Sequence, residues 1–237
     1  MYLFKKLGLK KEEVISIVGG GGKTTTLFIL ADELRNLNKR VLVTTTTAIF
    51  SPKEEEYDYY FLGKLEYFTP KEGSITIFGN RIEEGKLKGP SSIEIEEIVE
   101  KNIFDFILIE ADGSKGKPIK APNDYEPVIP KCTTKTIGVI GLDSFEKRID
   151  HIVHRPEKFI EITNSNYSDT IDADIIIKLI FHPEGLFKEA RGEKILLLNK
   201  ASNQYYSFKG NEIRNKLLEK GFKGSVLVSD IKTKKFY

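Results

Sequence analysis

A glycine-rich stretch near the start of the chain has the residue types needed to bind the phosphates of a nucleotide. Glycine lacks a Cβ, so its backbone N–H group can turn toward phosphate oxygens. Lys23 would reach the β- and γ-phosphates, and the Thr24 hydroxyl would hold Mg²⁺. The residues expected to bind the nucleotide are Gly19, Gly20, Gly21, Gly22, Lys23, Thr24 and Thr25.

This stretch fits a short phosphate-loop pattern, G-x-x-G-K-T, over residues 19–24. The longer pattern G-x-x-x-x-G-K-T would need glycine at position 17, where the chain has Ile17. The apolar run 14–18 predicts a buried strand before the loop, and apolar residues at helical spacing predict a helix over 23–37. Strand, loop and helix together favour a phosphate loop over the alternative, a glycine turn with no ligand.

A magnesium–phosphate site also needs an acidic partner at the end of a neighbouring strand. Glu110 and Asp112 follow the apolar run 104–109 and are the candidates. One of them would bind Mg²⁺ together with Thr24, directly or through water, and the other would position a water or act as a base. The candidate catalytic residues are therefore Lys23, Glu110 and Asp112, with the roles of the two carboxylates left open.

Threonines end a second predicted strand, which covers residues 40–46. In open α/β sheets, ligands bind at the carboxyl ends of the strands, so Thr45 and Thr46 would lie near the phosphates. Their hydroxyls are candidates to contact the γ-phosphate or its water. The alternative is that they are ordinary strand residues, because β-branched threonine is common in strands.

The apolar run 195–198 ends in Asn199 and Lys200, which resemble the start of the guanine-reading motif N-K-x-D. These two residues are candidates to contact the nucleotide. The fourth position is Ser202, and a serine hydroxyl cannot accept two donors from guanine as a carboxylate does. GTP is therefore not expected to be strongly preferred over ATP, and the base stays open, with ATP slightly favoured.

The remaining pattern predicts the elements that position these residues. Apolar runs alternate with helix-spaced segments, which is typical of a parallel α/β sheet. We expect residues 1–237 to form one domain of the α/β class, a three-layer sandwich of the P-loop NTPase type with a mostly parallel sheet. Short strands predicted over 57–62 and 74–78 indicate a hairpin in a small β annex at about 54–89. Further strands are predicted over 136–140, 194–198 and 225–228, and further helices over 91–102, 172–181 and 211–220.

Residues 112–130 are predicted to be a long irregular loop, because their prolines rule out regular structure. A loop of this length is usually functional or disordered. We expect it to fold over the phosphate site. Lys117, Lys120 and Arg155 are candidates to bind an anionic second substrate, such as a pterin phosphate. A lysine-rich lid that only screens the triphosphate is the alternative.

Composition excludes several classes of function. Lys plus Arg number 37 and Asp plus Glu 35, so no broad basic surface for nucleic acid is expected. The apolar runs are too short to cross a bilayer, and the first residues lack the apolar core of a signal peptide, so we expect a cytoplasmic protein without membrane contact. Cys132 is the only cysteine, which excludes a disulfide within one chain.

Eight segments, taken together, resemble the YqeC family of accessory proteins of selenium-dependent molybdenum hydroxylases. The resemblance runs in order from about residue 14 to residue 228. It implies a P-loop nucleotide-binding fold, a role near molybdenum-cofactor or selenium maturation, and a hydroxylase as partner. Its most specific part is E-A-D-G at 110–113 with the K-A-P and E-P-V-I-P motifs that follow. The segments are 19–25, 44–47, 109–114, 117–122, 126–130, 154–157, 182–185 and 196–200.

These residues lead to one main hypothesis and two rivals. The main hypothesis is a magnesium-dependent nucleotide hydrolase or a phosphoryl or nucleotidyl transferase. The first rival is a non-catalytic or slow accessory protein, in which the nucleotide switches the loop 112–130 between two states and a partner reads the change. The second rival is a nucleotide-binding domain that its ligand only stabilises.

Overall fold

The computed structural model describes residues 2–237. Its strands, in chain order, are β1 Glu13–Gly19, β2 Arg40–Thr45, β3 Ala48–Phe50, β4 Tyr59–Leu62, β5 Ser74–Gly79, β6 Arg81–Glu83, β7 Lys86–Lys88, β8 Phe106–Glu110, β9 Ile119–Lys120, β10 Lys135–Gly141, β11 Val153–His154, β12 Glu193–Asn199, β13 Ser225–Asp230 and β14 Lys235–Phe236. Its α-helices are α1 Leu3–Lys6, α2 Lys23–Arg35, α3 Ser92–Glu100, α4 Ile149–Ile152, α5 Pro156–Thr163, α6 Ala173–Phe181 and α7 Gln204–Glu219. In the described chain, no helix is long and apolar enough to cross a membrane.

One nine-stranded sheet forms the centre of the molecule, in the order β14-β13-β12-β10-β1-β8-β2-β5-β4. Neighbouring strands run parallel, except β14, which runs antiparallel to β13. The expected class is therefore confirmed as α/β with a large, mostly parallel sheet flanked by helices. β1, the strand before the glycine loop, lies between β10 and β8.

Hydrophobic cores cover both faces of this sheet. Val14 and Val18 pack into the core on one face, and Ile15 and Ile17 into the core on the other. Successive side chains of a strand point to opposite faces, so a strand covered on both faces is mostly apolar, and the buried Ser16 of β1 hydrogen-bonds the Thr133 hydroxyl. Helices α1 and α2 pack on the second face, and α3, α5, α6 and α7 pack on the first.

The helix starts follow local capping chemistry. The Ser91 side chain accepts a hydrogen bond from the N–H group of Glu94, and the Glu94 carboxylate accepts one from the N–H group of Ser91, which confirms the predicted capping box at the start of α3. Helix α7 begins at Gln204, seven residues before the predicted start at Asn211. Its first turns carry no regular apolar stripe, and the buried Gly210 interrupts the pattern where the helix approaches β13.

The predicted hairpin over 57–62 and 74–78 is wrong. The two strands there, β4 and β5, run parallel and extend the main sheet at its edge. Every residue of β5 is buried, so this strand needs a neighbour on each side, and β2 and β4 provide them. A separate antiparallel sheet, in the order β3-β7-β6, lies in the same part of the chain.

The carboxyl ends of the central parallel strands meet at one edge of the sheet. In the register of the sheet, Glu110 at the end of β8 pairs with Ile17 in β1 and with Thr45 at the end of β2. On the other side of β1, Gly141 at the end of β10 pairs with Asn199 at the end of β12. This edge therefore brings together the glycine loop, the acidic segment and the Asn-Lys segment, as the sequence predicts.

Candidate functional site

The glycine loop connects β1 directly to α2 and takes a conformation that only glycine adopts freely. The φ angles of Gly19, Gly21 and Gly22 are 96°, 83° and 123°. Gly22 precedes the first turn of α2 and provides no side-chain cap. Among residues 2–237, none accepts a hydrogen bond from the N–H groups of Lys23 or Thr24. The positive start of α2 is thus open to an anion.

Lys23 is held by three oxygen atoms of the protein. Its Nζ donates to the carbonyl oxygen of Gly19 at 2.8 Å and lies 3.2 Å from Asp112 Oδ1 and 3.5 Å from Glu110 Oε1. The residue is only 3% exposed. Burial alone would lower the pKa of Lys23, but the carboxylates of Asp112 and Glu110 outweigh it and raise this pKa, so the ammonium stays charged.

Asp112 orders the start of the glycine loop. Its Oδ2 accepts the N–H group of Gly19 at 2.9 Å and lies 3.0 Å from Lys120 Nζ. With Lys23 on its other oxygen, the Asp112 carboxylate has donors on both sides. Such a carboxylate is held in one orientation, which suits it to position Lys23.

The ion pairs continue away from the glycine loop. Lys120 is 1% exposed and lies 3.1 Å from Glu126 Oε2, and Arg155 Nη1 donates to the same Glu126 oxygen at 2.8 Å. Burial favours the neutral form of Glu126, but Lys120 and Arg155 outweigh it and lower its pKa. Carboxylates and cations therefore alternate from the glycine loop to Arg155. We call this set the charge chain: Glu110, Lys23, Asp112, Lys120, Glu126 and Arg155.

Thr24 and Glu110 form the oxygen pair expected to hold Mg²⁺. The Thr24 hydroxyl donates to Glu110 Oε2 at 2.7 Å. Burial, opposed by Lys23 and Thr24, raises the pKa of Glu110. Within residues 2–237 there is no group of three or more His, Cys, Asp or Glu side chains that could hold a metal ion by themselves. Hydroxyl and carboxylate oxygens suit Mg²⁺, which usually takes its remaining ligands from phosphates and water.

The segment 117–118 packs directly on the glycine loop. The carbonyl oxygen of Lys117 accepts the N–H group of Gly21 at 3.1 Å, and that of Pro118 accepts the N–H group of Gly141 at 2.8 Å. A Cβ on Gly20 would lie 2.7 Å from the Lys117 carbonyl oxygen, so only glycine fits there. The loop 112–130 is therefore in direct contact with the glycine loop.

The second-ligand candidates occupy three different environments. Lys120 is buried in the charge chain, and Arg155 is bound to Glu126, so both cations already have a carboxylate partner within the protein. The reason is that β9 pairs with β11, which folds this part of the loop into the protein. Lys117 Nζ donates to the carbonyl oxygen of His151 at 2.7 Å in an exposed contact.

The threonines that end β2 use their hydroxyls within the protein. The Thr45 hydroxyl donates to the carbonyl oxygen of Glu110 at 2.7 Å, and the Thr46 hydroxyl donates to that of Val128 at 2.7 Å. They therefore fix the root and the far end of the loop 112–130. Thr25, in the first turn of α2, is exposed.

Asn199, at the end of β12, connects the glycine loop with the segment that follows β13. Its Nδ2 donates to the carbonyl oxygen of Gly21 at 2.9 Å, and its Oδ1 accepts the N–H group of Ile231 at 3.1 Å. Both polar atoms of the side chain are thus engaged, and Asn199 positions the glycine loop. Its neighbour Lys200 has φ 63° and donates to Asp143 Oδ2 at 2.8 Å.

Sequence reasoning named Glu126 only as a possible acceptor on the loop 112–130, and it missed Asp143 and Gly141 as parts of this site. Glu126 is the first residue of the E-P-V-I-P motif, and this motif is the feature of the sequence that indicates a functional role for it. Asp143 and Gly141 follow an apolar run that resembles any other buried strand, and only the sheet order places them beside the glycine loop.

The surroundings of His154 and Cys132 favour the neutral forms of both side chains. Burial, together with the nearby cations Arg155, Lys120 and Lys115, lowers the pKa of His154 to about 4. Burial, with the carboxylate of Glu96, raises the pKa of the Cys132 thiol, which disfavours the reactive thiolate.

Comparison with known proteins gives two matches. The model of the family described as "YqeC protein" matches residues 15–157. The "Uncharacterized protein YqeC" of Escherichia coli (strain K12) is 37% identical over 185 residues, which cover 76% of this chain and 72% of that relative. The family match includes the glycine loop, the acidic segment, the loop 112–130 and Arg155.

Proposed function

The chain belongs to the YqeC family, and we propose that it binds a magnesium–nucleoside triphosphate at residues 19–25. The observation that carries this proposal is the start of α2. There the N–H groups of Lys23 and Thr24 have no acceptor among the described residues. An ammonium group and a hydroxyl lie at the same helix start. Together these groups provide what a polyphosphate needs.

Each residue of the site has a distinct part in this proposal. Phosphate oxygens accept the free N–H groups of α2 and take Lys23 as their counter-charge, which Asp112 holds in place. Thr24 and Glu110 hold Mg²⁺, whose positive charge offsets that of the phosphates. Because Asp112 already accepts from Gly19, Lys23 and Lys120, we assign it a positioning role.

The fold supports a three-layer arrangement of the P-loop NTPase type. The strand that carries the glycine loop is central, and the neighbouring strand β8 ends in the carboxylate proposed for magnesium. The reaction we propose is hydrolysis of the triphosphate, or transfer of a phosphoryl or nucleotidyl group. The acceptor would be an anionic small molecule, such as a pterin phosphate, bound near Lys117 and Arg155 at the far end of the charge chain.

A second candidate function is a slow nucleotide switch that delivers or protects a ligand for a molybdenum hydroxylase in the cytoplasm. The observation that favours it is the contact between the segment 117–118 and the glycine loop. A nucleotide that takes the N–H group of Gly21 releases the carbonyl oxygen of Lys117, so binding would move the loop.

Calorimetry and phosphate release test these proposals. ATP and GTP are titrated into the full chain with and without Mg²⁺, and phosphate release is then followed at saturating nucleotide with Mg²⁺ present. Magnesium-dependent binding supports the site, and no binding of either triphosphate refutes it. Release stimulated by a small anion favours the enzyme. Negligible release that a partner hydroxylase stimulates favours the switch.

A further inference from the structure

One carboxylate beside the glycine loop has hydrogen-bonding capacity that the protein does not use. Asp143 Oδ2 accepts from Lys200 Nζ at 2.8 Å, whereas Asp143 Oδ1 is buried and accepts no hydrogen bond from the described residues. A buried acceptor without a donor loses its hydration without compensation. In native proteins such an atom needs an explanation, and a donor that comes with a ligand is one.

The unpaired oxygen lies close to the glycine loop. A Cβ placed on Gly141 would collide with Asp143 Oδ1, and it would lie 3.1 Å from the Cα atom of Gly21 and 3.0 Å from the Cβ atom of Pro118. Asp143 Oδ1, the Gly21 Cα atom and the Pro118 Cβ atom therefore all lie next to Gly141. The carbonyl oxygen of Pro118, which belongs to the loop 112–130, also accepts the N–H group of Gly141 at 2.8 Å.

The position of Asp143 separates it from the groups proposed for phosphate and magnesium. Glu110 and Asp112 follow β8, whereas Asp143 follows β10, and β1 lies between these two strands. A carboxylate repels phosphate, so the donor that Asp143 lacks must belong to an uncharged part of the ligand. With the triphosphate at the start of α2 and Mg²⁺ on the β8 side, as proposed above, the nucleoside would extend toward β10 and β12.

Lys200 completes a polar pair that a nucleoside can reach. The side chains of Lys200 and Asp143 are 38% and 40% exposed. Lys200 has φ 63°, and a non-glycine residue in this left-handed region is a feature common at ligand sites. An ammonium group has three donors and a carboxylate about four acceptor positions, so the pair keeps free donors and acceptors after its own contact.

We propose that Asp143 accepts a hydrogen bond from the nucleoside half of the bound nucleotide, either from a ribose hydroxyl or from an N–H group of the base. It thereby determines nucleotide selectivity in place of the carboxylate that is absent at Ser202. This assignment rests on the proposed nucleotide site, and it names the residue that distinguishes a nucleoside triphosphate from its analogues. Contact with Asp143 Oδ1 requires Pro118 to move away from Gly141 when the nucleotide enters.

The test compares ligands that differ by one donor. Affinities of the full chain are measured for Mg·ATP, Mg·GTP, their 2′-deoxy forms, inosine triphosphate, purine riboside triphosphate and inorganic triphosphate. The proteins are the wild type, Asp143→Ala, Asp143→Asn and the control Asp150→Asn. Asp150 is a suitable control because it also pairs with a cation, Arg148, at 2.6 Å and is similarly exposed.

We expect the wild type to bind at least one natural nucleotide about tenfold more tightly than the analogue without the donor, a difference of roughly 1.4 kcal/mol. Asp143→Ala should remove this preference, and Asp143→Asn, which keeps one amide oxygen as an acceptor, should weaken it. Both variants should leave the affinity for inorganic triphosphate unchanged. Loss of the preference for 2′-hydroxyl forms identifies the ribose, and loss of the preference for amino-bearing bases identifies the base. A preference that survives in both variants, or an equal loss of affinity for inorganic triphosphate, overturns the assignment. If no triphosphate binds at all, the phosphate site itself is refuted.

Discussion

Lys23 combines a proposed ligand contact with a structural contact. From the sequence, its side chain was expected to reach the β- and γ-phosphates of the ligand. It lies instead between the buried carboxylates of Glu110 and Asp112. The difference arises because the glycine loop turns the lysine back toward the end of β8, where the ammonium neutralises two negative charges.

We therefore predict two effects of Lys23→Ala. Affinity for triphosphate is lost, and the free energy of unfolding falls by about 3–5 kcal/mol, because the change leaves buried carboxylates without a cation. Calorimetry and urea denaturation measure the two effects. Lys11→Ala is the control, since its side chain is 79% exposed and the change should stay within about 0.5 kcal/mol. Unchanged affinity for both ATP and GTP would contradict the phosphate-loop assignment.

His154 makes stability depend on pH in a defined window. Its pKa is lowered from 6.5 to about 4 in the folded protein, first by burial and then by Arg155, Lys120 and Lys115. Between these two values the unfolded chain binds a proton at this site and the folded chain does not. This contribution to stability is therefore present above pH 6.5 and is lost as the pH falls toward 4.

We predict that His154→Gln makes the free energy of unfolding less sensitive to pH between 6.5 and 4. Urea denaturation at several pH values in that window measures the effect. His151→Gln is the control, since its side chain is 74% exposed and it should follow the wild type. Equal slopes for wild type and His154→Gln would show that His154 is protonated in the folded protein.

At the scale of elements, the sequence predicted the central sheet better than its margins. The strands β1, β8, β10 and β12 are continuous apolar runs because both of their faces are covered, and such runs are recognisable in a sequence. The edge strand β4 and the short pair β9–β11 are only partly fixed by local pattern, since their partners lie far along the chain. Helix α5 was missed because its first turn follows Arg155, whose left-handed conformation no local pattern indicates.

The residues of the candidate site also divide into those that the sequence predicted and those that depend on the fold. The glycine loop, Lys23, Thr24 and Glu110 were predicted because a phosphate site requires these residue types at this spacing. The charge chain beyond Asp112 was not, because the burial of Lys120 depends on the pairing of β9 with β11. Two lysines of one loop thus have the same chemistry in the sequence and different environments in the fold.

This difference separates Lys120 from Lys117 in stability. Lys120→Ala should lower the free energy of unfolding by about 3–5 kcal/mol, because Asp112 and Glu126 lose their shared cation in a buried position. Lys117→Ala removes one exposed contact, to the His151 carbonyl oxygen, and should cost less than about 1 kcal/mol. Chemical denaturation of both variants measures the difference. Equal losses would mean that Lys120 does not neutralise the two carboxylates.

At the scale of the molecule, several segments that are distant in the sequence meet at the glycine loop. Asp112 accepts its first N–H group, Lys117 accepts that of Gly21, and Asn199 donates to the Gly21 carbonyl oxygen. A ligand that pairs with Lys23 and accepts a hydrogen bond from the N–H group of Gly21 would therefore change the contacts of the loop 112–130. Through the pairing of β9 with β11, it would also affect Arg155. The small sheet of β3, β6 and β7 lies outside this set of contacts.

Hydrogen exchange can detect this coupling across the whole chain. With Mg·ATP or Mg·GTP at about a hundred times its dissociation constant, binding stabilises the folded state by roughly 2.7 kcal/mol. We expect slower exchange at residues 22–26, where N–H groups gain phosphate acceptors. We expect faster exchange at 114–121 and 153–156, because release of the Lys117 carbonyl oxygen by Gly21 loosens this loop and the β9–β11 pair that follows it. Residues 81–88 provide the internal control and should not change beyond the global stabilisation. Slower exchange at 22–26 with no change at 114–121 would show that the loop is a fixed wall of the site, and the switch function would lose its structural basis.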